Sequence, residues 1–298
     1  MSSNKTSQCP DLLADPVFNT LKTMTIPMIY GMILLMAFNL VDTFFVSLLG
    51  TQPLAAISFT FPITFTVISL FIGLGIGTSA VISKLLGQGD IDKAKCSATS
   101  ALYLSSFIVG IVSIIGFLLI EPIFRLLGAS DALLPLIHDY MDIWFLGCIT
   151  LMGPMIGNAI LRASGDTKTP SIVMGLAGLI NAVLDPILIF GFGPIPEMGM
   201  QGAAIATFIS WLCGTALVLY ILIVKKKLVS PKLPSFEPFK RACRSILKIG
   251  LPAAGAHILT PVASAVLTAI AAGFGDSAVA AFGVGSRLES IACLLMLI

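Results

Sequence analysis

Long apolar runs dominate the chain and limit what it can fold into. At 1.5 Å per residue, about 20 residues of helix cross the ~30 Å hydrocarbon core of a bilayer, and eight segments exceed that length. Charged residues make up only 11% of the 298 residues, which is less than half of the roughly 25% found in soluble domains. The sequence therefore predicts an all-α polytopic membrane protein and excludes a soluble globular domain and a disordered chain. The predicted spans are 24–49, 54–83, 97–120, 132–160, 169–192, 200–224, 247–273 and 277–298.

The basic residues indicate the orientation of these spans. With a cytoplasmic N-terminus, fifteen of the seventeen Lys and Arg residues fall in cytoplasmic segments, while Arg125 lies outside and Arg287 lies within the eighth span. Cytoplasmic loops carry such an excess of Lys and Arg. We expect a multi-pass protein of the cytoplasmic (inner) membrane, with a cytoplasmic N-terminal tail at 1–20 and a basic cytoplasmic connector at 225–246. We expect Glu289 to neutralise Arg287 locally.

An internal repeat appears when the chain is compared with itself at a shift of 225 residues. Residues 26–57 and 251–282 share eight identities in 32 aligned pairs, among them Gly50 with Gly275. Six spans separate the two copies, so both copies cross the membrane in the same direction, as in a parallel repeat. The chain is therefore expected to hold one whole half of a repeat protein and part of the other half. The predicted domains are a six-helix N-terminal lobe at 21–224 and, at 247–298, the first two helices of a pseudo-symmetric, incomplete second lobe.

Two acids lie within the predicted spans of the first lobe. An acid at the centre of a bilayer costs about 2.5–3.5 kcal/mol on insertion scales, so such a residue marks a functional site. Asp42 lies in the first span, where the second copy of the repeat has Leu267. Asp185 lies in the fifth span, on the same helix face as Asn181. Pro186 follows Asp185 and frees a backbone carbonyl one turn earlier.

The depths of these polar groups place them in one layer of the outer leaflet. From the helical rise, Asp42 and Asp185 each lie about 10 Å below the outer ends of their spans. Tyr140 in the fourth span and Thr207 in the sixth lie about 10–12 Å below the same surface. Asn39 is one turn before Asp42, on the same face but deeper. Two desolvated carboxylates and an amide suit Na⁺ or a proton, and no basic residue was found inside the first six spans to pair with them.

Several other motifs have simpler structural explanations. The glycine-rich segment at 71–81 lacks the strand that a dinucleotide-binding fold requires, so helix packing explains it better. Asp90 follows a G-x-G pattern known from aspartyl proteases of the membrane, but its neighbours are charged loop residues. No Walker A, H-E-x-x-H or G-x-S-x-G motif is present, and the six cysteines show no C-x-x-C spacing. The sequence therefore predicts neither an enzyme nor a bound cofactor, and the net charge of +2 gives no reason to expect a nucleic-acid partner.

The chain resembles the multidrug and toxic compound extrusion (MATE) family, and in particular its DinF-like prokaryotic branch. The resemblance covers nearly everything from Leu21 onward and depends on several motifs together. The motifs are Pro27 and Asp42 in the first span, SKLLGQGDIDKA at 83–94, AILRASGDTKTP at 159–170, Asn181-x-x-x-Asp185-Pro186, and GMQGAAIATFIS at 199–210.

The resemblance implies a fold and a function. It implies twelve helices in two six-helix lobes with a cleft between them, as in the MOP flippase superfold, and an antiporter that exports drugs and toxic organic compounds while Na⁺ or H⁺ enters. The expected substrates are small amphipathic or cationic organic molecules, and the full-length protein is expected to be monomeric. The implied site comprises Asp42, Asn181, Asp185 and Thr207 as cation-binding residues, with Na⁺ possible at the first three, Tyr140, Asn158 and Asn39 as lining residues, and Pro27 as the point where the first helix bends.

Two alternatives remain open at this level. One is a flippase of the same superfold for lipid-linked oligosaccharides or peptidoglycan precursors, which would favour basic residues inside the lobe. The other is an inactive truncated remnant, because the family has about half as much chain again and spans 9–12 have no counterpart here. An open reading frame continuing past codon 298 would decide against the remnant.

Overall fold

The computed structural model describes residues 17–232 and 234–297, and this part of the chain is almost entirely helical. Its one β feature is an isolated bridge between Phe192 and Ile195. The predicted all-α membrane fold is thereby confirmed. The helices are α1 (Val17–Leu48), α2 (Thr51–Gly87), α3 (Ile91–Leu118), α4 (Ile120–Leu126), α5 (Leu134–Gly147), α6 (Asn158–Ala163), α7 (Lys168–Ile189), α8 (Gly199–Tyr220), α9 (Phe236–Ala272) and α10 (Asp276–Leu297).

Six helical segments of the described chain are long and apolar enough to cross a membrane. They correspond to the second through seventh predicted spans. The first and eighth predicted spans correspond to α1 and α10, which have 32 and 22 residues. At 1.5 Å per residue these two helices are also long enough to cross. Some of their side chains lie outside the described part of the chain.

The fourth predicted span is interrupted, which the sequence did not predict. Between α5 and α6 the chain forms a 3₁₀ turn (Cys148–Leu151) and then a π turn (Gly153–Gly157). Pro154 lies at the start of the π turn and cannot donate a hydrogen bond to the carbonyl of Thr150. That carbonyl instead accepts a hydrogen bond from the hydroxyl of Thr215 in α8. The interruption therefore follows from one proline and is compensated by a neighbouring helix.

Helix α9 packs closely along α2, and glycines make this contact possible. A Cβ atom added to Gly73 would lie 2.4 Å from the backbone nitrogen of Ala254, and one added to Gly77 would lie 2.5 Å from the carbonyl oxygen of Ile246. Any larger residue would force the two backbones apart. The glycine-rich segment at 71–81 is thus a helix-packing surface, as the sequence indicated.

The two copies of the repeat share the same turn. Gly50 joins α1 to α2 with φ of 118°, and Gly275 joins α9 to α10 with φ of 101°. Both angles lie in the left-handed region, which favours glycine. Each turn follows a long helix with an internal proline, Pro27 in α1 and Pro252 in α9. The aligned glycines therefore have the same structural role in both copies.

Hydrogen bonds identify which loops share an end of the helix bundle. The α6–α7 loop meets the start of the connector, where the Lys226 ammonium lies 2.8 Å from an Asp166 carboxylate oxygen. We call the end of the bundle that contains this ion pair the basic end. At the opposite end, Ser130 before α5 donates to Asp276 at the start of α10 over 3.3 Å.

Asp90 has a structural role between α2 and α3. It is the N-cap of α3, and its carboxylate accepts hydrogen bonds from the backbone N–H of Lys93 over 3.4 Å and from the Lys93 ammonium over 2.5 Å. Such capping satisfies a donor that the first turn of a helix leaves unpaired. The G-x-G-D pattern is therefore a helix-capping turn.

Candidate ion and substrate site

Helix α7 carries the first half of the candidate ion site. Asp185 is fully buried, and its Oδ1 accepts a hydrogen bond of 3.1 Å from the side-chain amide of Asn181 one turn earlier. The other carboxylate oxygen, Oδ2, is buried with no hydrogen-bond partner. An unpaired buried oxygen on an acid is costly, so this atom is poised to accept a ligand.

Helix α1 brings Asp42 to the same place. Its Oδ1 is also buried without a hydrogen-bond partner. Asp42 and Asp185 are close enough to interact electrostatically, and both act on the hydroxyl group of Tyr140 in α5. Three helices thus place two carboxylates and a phenol in one neighbourhood, as the depth estimate suggested. We call Asp42, Asn181, Asp185 and Tyr140 the acidic end of the site.

An arginine from α10 also reaches the acidic end, which differs from the sequence expectation. The Arg287 guanidinium donates a hydrogen bond to the hydroxyl of Thr43 and lies 5.6 Å from the centre of the Phe61 ring. It interacts electrostatically with Asp42. Its expected partner Glu289 is exposed. The expectation failed because Arg287 faces the first lobe, so the acid that it approaches comes from another helix.

A cavity of about 360 Å³ extends from the acidic end. Asp42, Asn181, Tyr140 and Arg287 contribute to its wall. Aromatic rings form much of the remaining wall, and Trp144 and Trp211 meet edge to face with centroids 5.8 Å apart. The aromatic lining residues are Phe38, Phe61, Phe65, Tyr140, Trp144 and Trp211. Such a wall suits a flat aromatic or amphipathic organic molecule.

The remaining predicted site residues have different placements. Thr207 lines the cavity, and its hydroxyl donates to the carbonyl of Ala203 over 3.0 Å. Asn158 is fully buried but is not among the lining residues, and neither of its amide atoms has a hydrogen-bond partner. The π turn before Asn158 breaks the regular helical period that would carry it to the face of Met155. The side chain of Asn39 lies outside the described part of the chain.

Pro27 lies inside α1, which continues as a helix from Val17 to Leu48. Its carbonyl accepts a hydrogen bond of 2.6 Å from the hydroxyl of Ser171 in α7. A Cβ atom added to Gly31, one turn later, would lie 3.0 Å from the same hydroxyl oxygen. The segment around Pro27 is therefore tied to the helix that carries Asp185.

Arg162 lines the cavity at the basic end, and the sequence did not predict this. It lies in the last turn of α6, inside the helical segment Leu134–Ala163 that is apolar enough to span a membrane. The positive-inside rule assigned it to a cytoplasmic loop. Rules based on loops and spans place a residue along the membrane normal but do not tell which way its side chain turns.

The acid nearest to Arg162 in the sequence is already paired. The Asp166 carboxylate accepts hydrogen bonds from the Lys226 ammonium, the Thr169 hydroxyl (2.8 Å each) and the Thr169 backbone N–H (3.0 Å). Burial alone would raise the pKa of Asp166, but these hydrogen bonds and the Lys226 charge hold it below its ordinary value. Asp166 is therefore a charged anchor between the α6–α7 loop and the connector.

The described residues contain no group of three or more His, Cys, Asp or Glu side chains that could hold a metal ion. The acidic end has two carboxylates, an amide and a phenol, and Thr207 lines the same cavity. Oxygen ligands of this kind suit a transported hard cation better than a transition metal held by nitrogen or sulfur.

Comparisons with known proteins agree with this fold. The family description MatE matches residues 27–187. The chain is 43% identical over 286 residues to a protein of Shewanella oneidensis named "FAD transporter", and the match covers 96% of this chain and 63% of that protein. It is 30% identical to the "Probable multidrug resistance protein YpnP" of Bacillus subtilis, covering 95% of this chain and 63% of the relative. The chain thus spans less than two thirds of the length of these relatives.

A solved structure matches this fold over most of the chain. A mutant of the Vibrio cholerae MATE transporter VcmN aligns with a TM-score of 0.81 and 34% identity, covering 94% of this chain and 62% of the transporter. The match extends through both the six-span region and the two helices after the connector, because it covers nearly the whole chain.

Proposed function

Because the chain belongs to the MATE family, we propose that it is part of a cation-coupled antiporter that exports small organic compounds as Na⁺ or H⁺ enters. The observation that carries this proposal is the pair of buried carboxylate oxygens without partners, one on Asp42 and one on Asp185. Asp42 lines the aromatic cavity, and Asp185 is close enough to Asp42 to interact with it electrostatically. A cation that binds there would satisfy both oxygens and neutralise part of the buried charge.

The coupling follows from the position of the acids on α1 and α7. When no cation is bound to Asp42 and Asp185, their two negative charges lie close together and oppose the packing of α1 against α7. A bound Na⁺ or proton removes this repulsion and favours a different arrangement of α1 near Pro27. If the cation binds one arrangement of α1 more tightly than the other, its binding would increase the population of that arrangement. The cavity would then open alternately to the two sides of the membrane.

Topology and domain boundaries belong to the same proposal. We place the N-terminus and the basic end in the cytoplasm, because Lys and Arg concentrate there. The segment 21–224 is then the cation-binding lobe, 225–246 a cytoplasmic connector, and 247–298 the start of the second lobe. In this orientation the acidic end lies in the outer half of the membrane.

Coupled transport in everted vesicles tests the proposal. Addition of an exported organic cation should release Na⁺ or H⁺ from vesicles that contain the chain, and Asp42→Asn should abolish this release. Asp139→Asn is the matched control, because Asp139 lies outside the cavity and accepts a hydrogen bond of 2.7 Å from Gln201. Intact coupling in Asp42→Asn would exclude the mechanism. Release in neither vesicle preparation would exclude transport by this chain alone.

A second candidate function is export of FAD. It is favoured by the 43% identity to a protein named "FAD transporter", against 30% to a probable multidrug resistance protein. FAD is an aromatic molecule with a pyrophosphate, and the cavity has aromatic walls and two arginines. Everted vesicles should accumulate FAD in exchange for Na⁺ or H⁺. Accumulation of an organic cation but not of FAD would favour the first substrate class, and movement of a fluorescent lipid would favour a flippase.

A further inference from the structure

Arg162 lies where two cavities meet. It lines the aromatic cavity described above and also an adjoining cavity of about 400 Å³ along α2. Residues of α2 such as Ser79 and Gly75 also line the second cavity. Arg162 and Met155 line both cavities, so Arg162 lies at their shared boundary.

The guanidinium of Arg162 has no hydrogen bond and no ion pair within the described chain, although the backbone carbonyl of the same residue accepts one from Gly165. The nearest acid in the sequence, Asp166, is occupied by Lys226 and Thr169. A guanidinium carries five N–H donors in a planar fork, and leaving them unpaired in a partly buried position is costly. A ligand with several acceptor oxygens would remove this cost.

The acids of the ion site cannot be that ligand, because they are too far away. Tyr140, which interacts with Asp42 and Asp185, precedes Arg162 by 22 residues in one helical segment. At 1.5 Å per residue this separation is about 30 Å. The two ends of the cavity therefore serve different charged groups.

We propose that Arg162 binds the phosphate group of a soluble organic phosphate whose aromatic part packs against the rings of the cavity. Arginine binds phosphate through two parallel N–H···O hydrogen bonds, which match its planar fork. The aromatic part would lie between Arg162 and the acidic end, against side chains such as Phe65 and Trp211. This assignment rests on the second candidate function, FAD export, and identifies its phosphate-binding residue.

Paired ligands with and without phosphates test the assignment. The 298-residue chain in lipid-free detergent micelles is titrated with FAD and with riboflavin, which has the same flavin ring but neither the phosphates nor the adenosine group, so the comparison between variants carries the test. Wild-type protein should bind FAD about 10- to 100-fold more tightly than riboflavin, the range expected for hydrogen bonds to a charged group. Arg162→Gln should lose this preference and keep the riboflavin affinity. Lys84→Gln is the matched control, because Lys84 is exposed near the end of α2 and lines neither cavity.

Retained riboflavin binding shows that a variant is folded. If Arg162→Gln binds neither ligand, Arg162→Lys decides, because lysine keeps the charge but not the fork. A preference for FAD that falls several-fold in Arg162→Lys supports the assignment, and an unchanged preference overturns it.

The remaining outcomes separate the assignment from the function on which it rests. An unchanged FAD preference in Arg162→Gln would overturn the assignment while FAD export stands. If phosphatidylglycerol added to the micelles binds wild-type protein but not Arg162→Gln, while the FAD preference is intact, Arg162 holds a lipid phosphate instead, and this would also overturn the assignment. Binding of neither flavin to wild-type protein would exclude FAD export, and the phosphate site would fail with it.

Discussion

The two ends of the cavity carry opposite charges that are satisfied in different ways. At the acidic end, Asp42 and Asp185 share their surroundings with Arg287, yet each keeps a buried oxygen without a hydrogen bond. At the basic end, the Arg162 guanidinium has no partner among the described residues, because Asp166 is held by Lys226. A separation of about 30 Å keeps the two ends from neutralising each other. In our account this separation lets a cation and a phosphate-bearing substrate occupy one cavity.

Reversing the charge at the basic end should have the largest effect. Arg162→Glu places acids at both ends of the cavity, and its carboxylate would repel a phosphate. We expect FAD affinity to fall by more than about 100-fold, since a favourable charged hydrogen bond is replaced by repulsion. Equilibrium binding to the detergent-solubilised chain measures this, with riboflavin as the control for folding. Unchanged FAD affinity in Arg162→Glu would show that Arg162 does not contact the substrate.

Removing the arginine of the acidic end should have the next largest effect. Arg287 places a positive charge near Asp42, so it competes with an incoming cation. Arg287→Gln should raise the affinity of the acidic end for its cation by about 10-fold, and Arg287→Lys, which keeps the charge, should change it much less. The concentration of Na⁺ or H⁺ that gives half-maximal coupled transport measures this affinity. A weaker cation affinity in Arg287→Gln would show that Arg287 positions the acids and does not compete.

The helices themselves could be predicted from the sequence, but their interruptions could not. A hydropathy run of about 20 residues leaves few alternatives in a bilayer, because only helices and closed barrels satisfy the backbone there. The 3₁₀ and π turns around Pro154 leave the Thr150 carbonyl free to accept a hydrogen bond from the Thr215 hydroxyl. Because Thr215 lies on α8, the local sequence does not reveal this compensating contact. The aligned Gly50 and Gly275 were predictable, because a positive φ favours one residue type.

The acidic end could be predicted because few polar residues enter a membrane span. Asp42, Asn181 and Asp185 stand out in apolar surroundings, and helical rise alone puts the acids at one depth. The positions of Arg287 and Arg162 in the cavity wall could not be predicted, for a different reason. Their long side chains turn towards the cavity from α10 and from the last turn of α6, and only the packing of the helices determines that direction. A basic residue within one turn of a span end is the signal that could have identified Arg162.

Loss of the anchor at the basic end should have a moderate effect. Asp166→Asn removes the ion pair with Lys226, and we expect the free energy of unfolding to fall by about 1–2 kcal/mol. The pKa of Asp166 is lowered in the folded chain, so its contribution is present at neutral pH and is lost as the pH falls below the ordinary range of an aspartate. Thermal unfolding of wild type and variant at neutral and acidic pH measures this. The variants should converge in acid, and an equal gap at both pH values would contradict the assignment.

Loss of the hydrogen bond at Pro27 should have the smallest effect. Ser171→Ala removes the hydroxyl that bonds the Pro27 carbonyl over 2.6 Å, which should lower the free energy of unfolding by about 1 kcal/mol. Ser245→Ala is a suitable control, because Ser245 makes a local hydrogen bond to Arg241 in the exposed part of α9. Coupling in everted vesicles should change only if the bond also restrains α1. A loss of stability above that of the control, with coupling retained, would give Ser171 a purely structural role.

Infrared difference spectroscopy can detect directly whether a cation binds at the acidic end. A change in Na⁺ concentration or pH should alter the carboxylate bands of wild-type protein, either by shifting them as Na⁺ binds or by producing the band of a protonated carboxyl group. We expect this change to disappear when Asp42→Asn and Asp185→Asn are combined and to persist in Asp139→Asn. The same spectral change in the combined variant as in wild type would show that the cation binds elsewhere and not to these two acids.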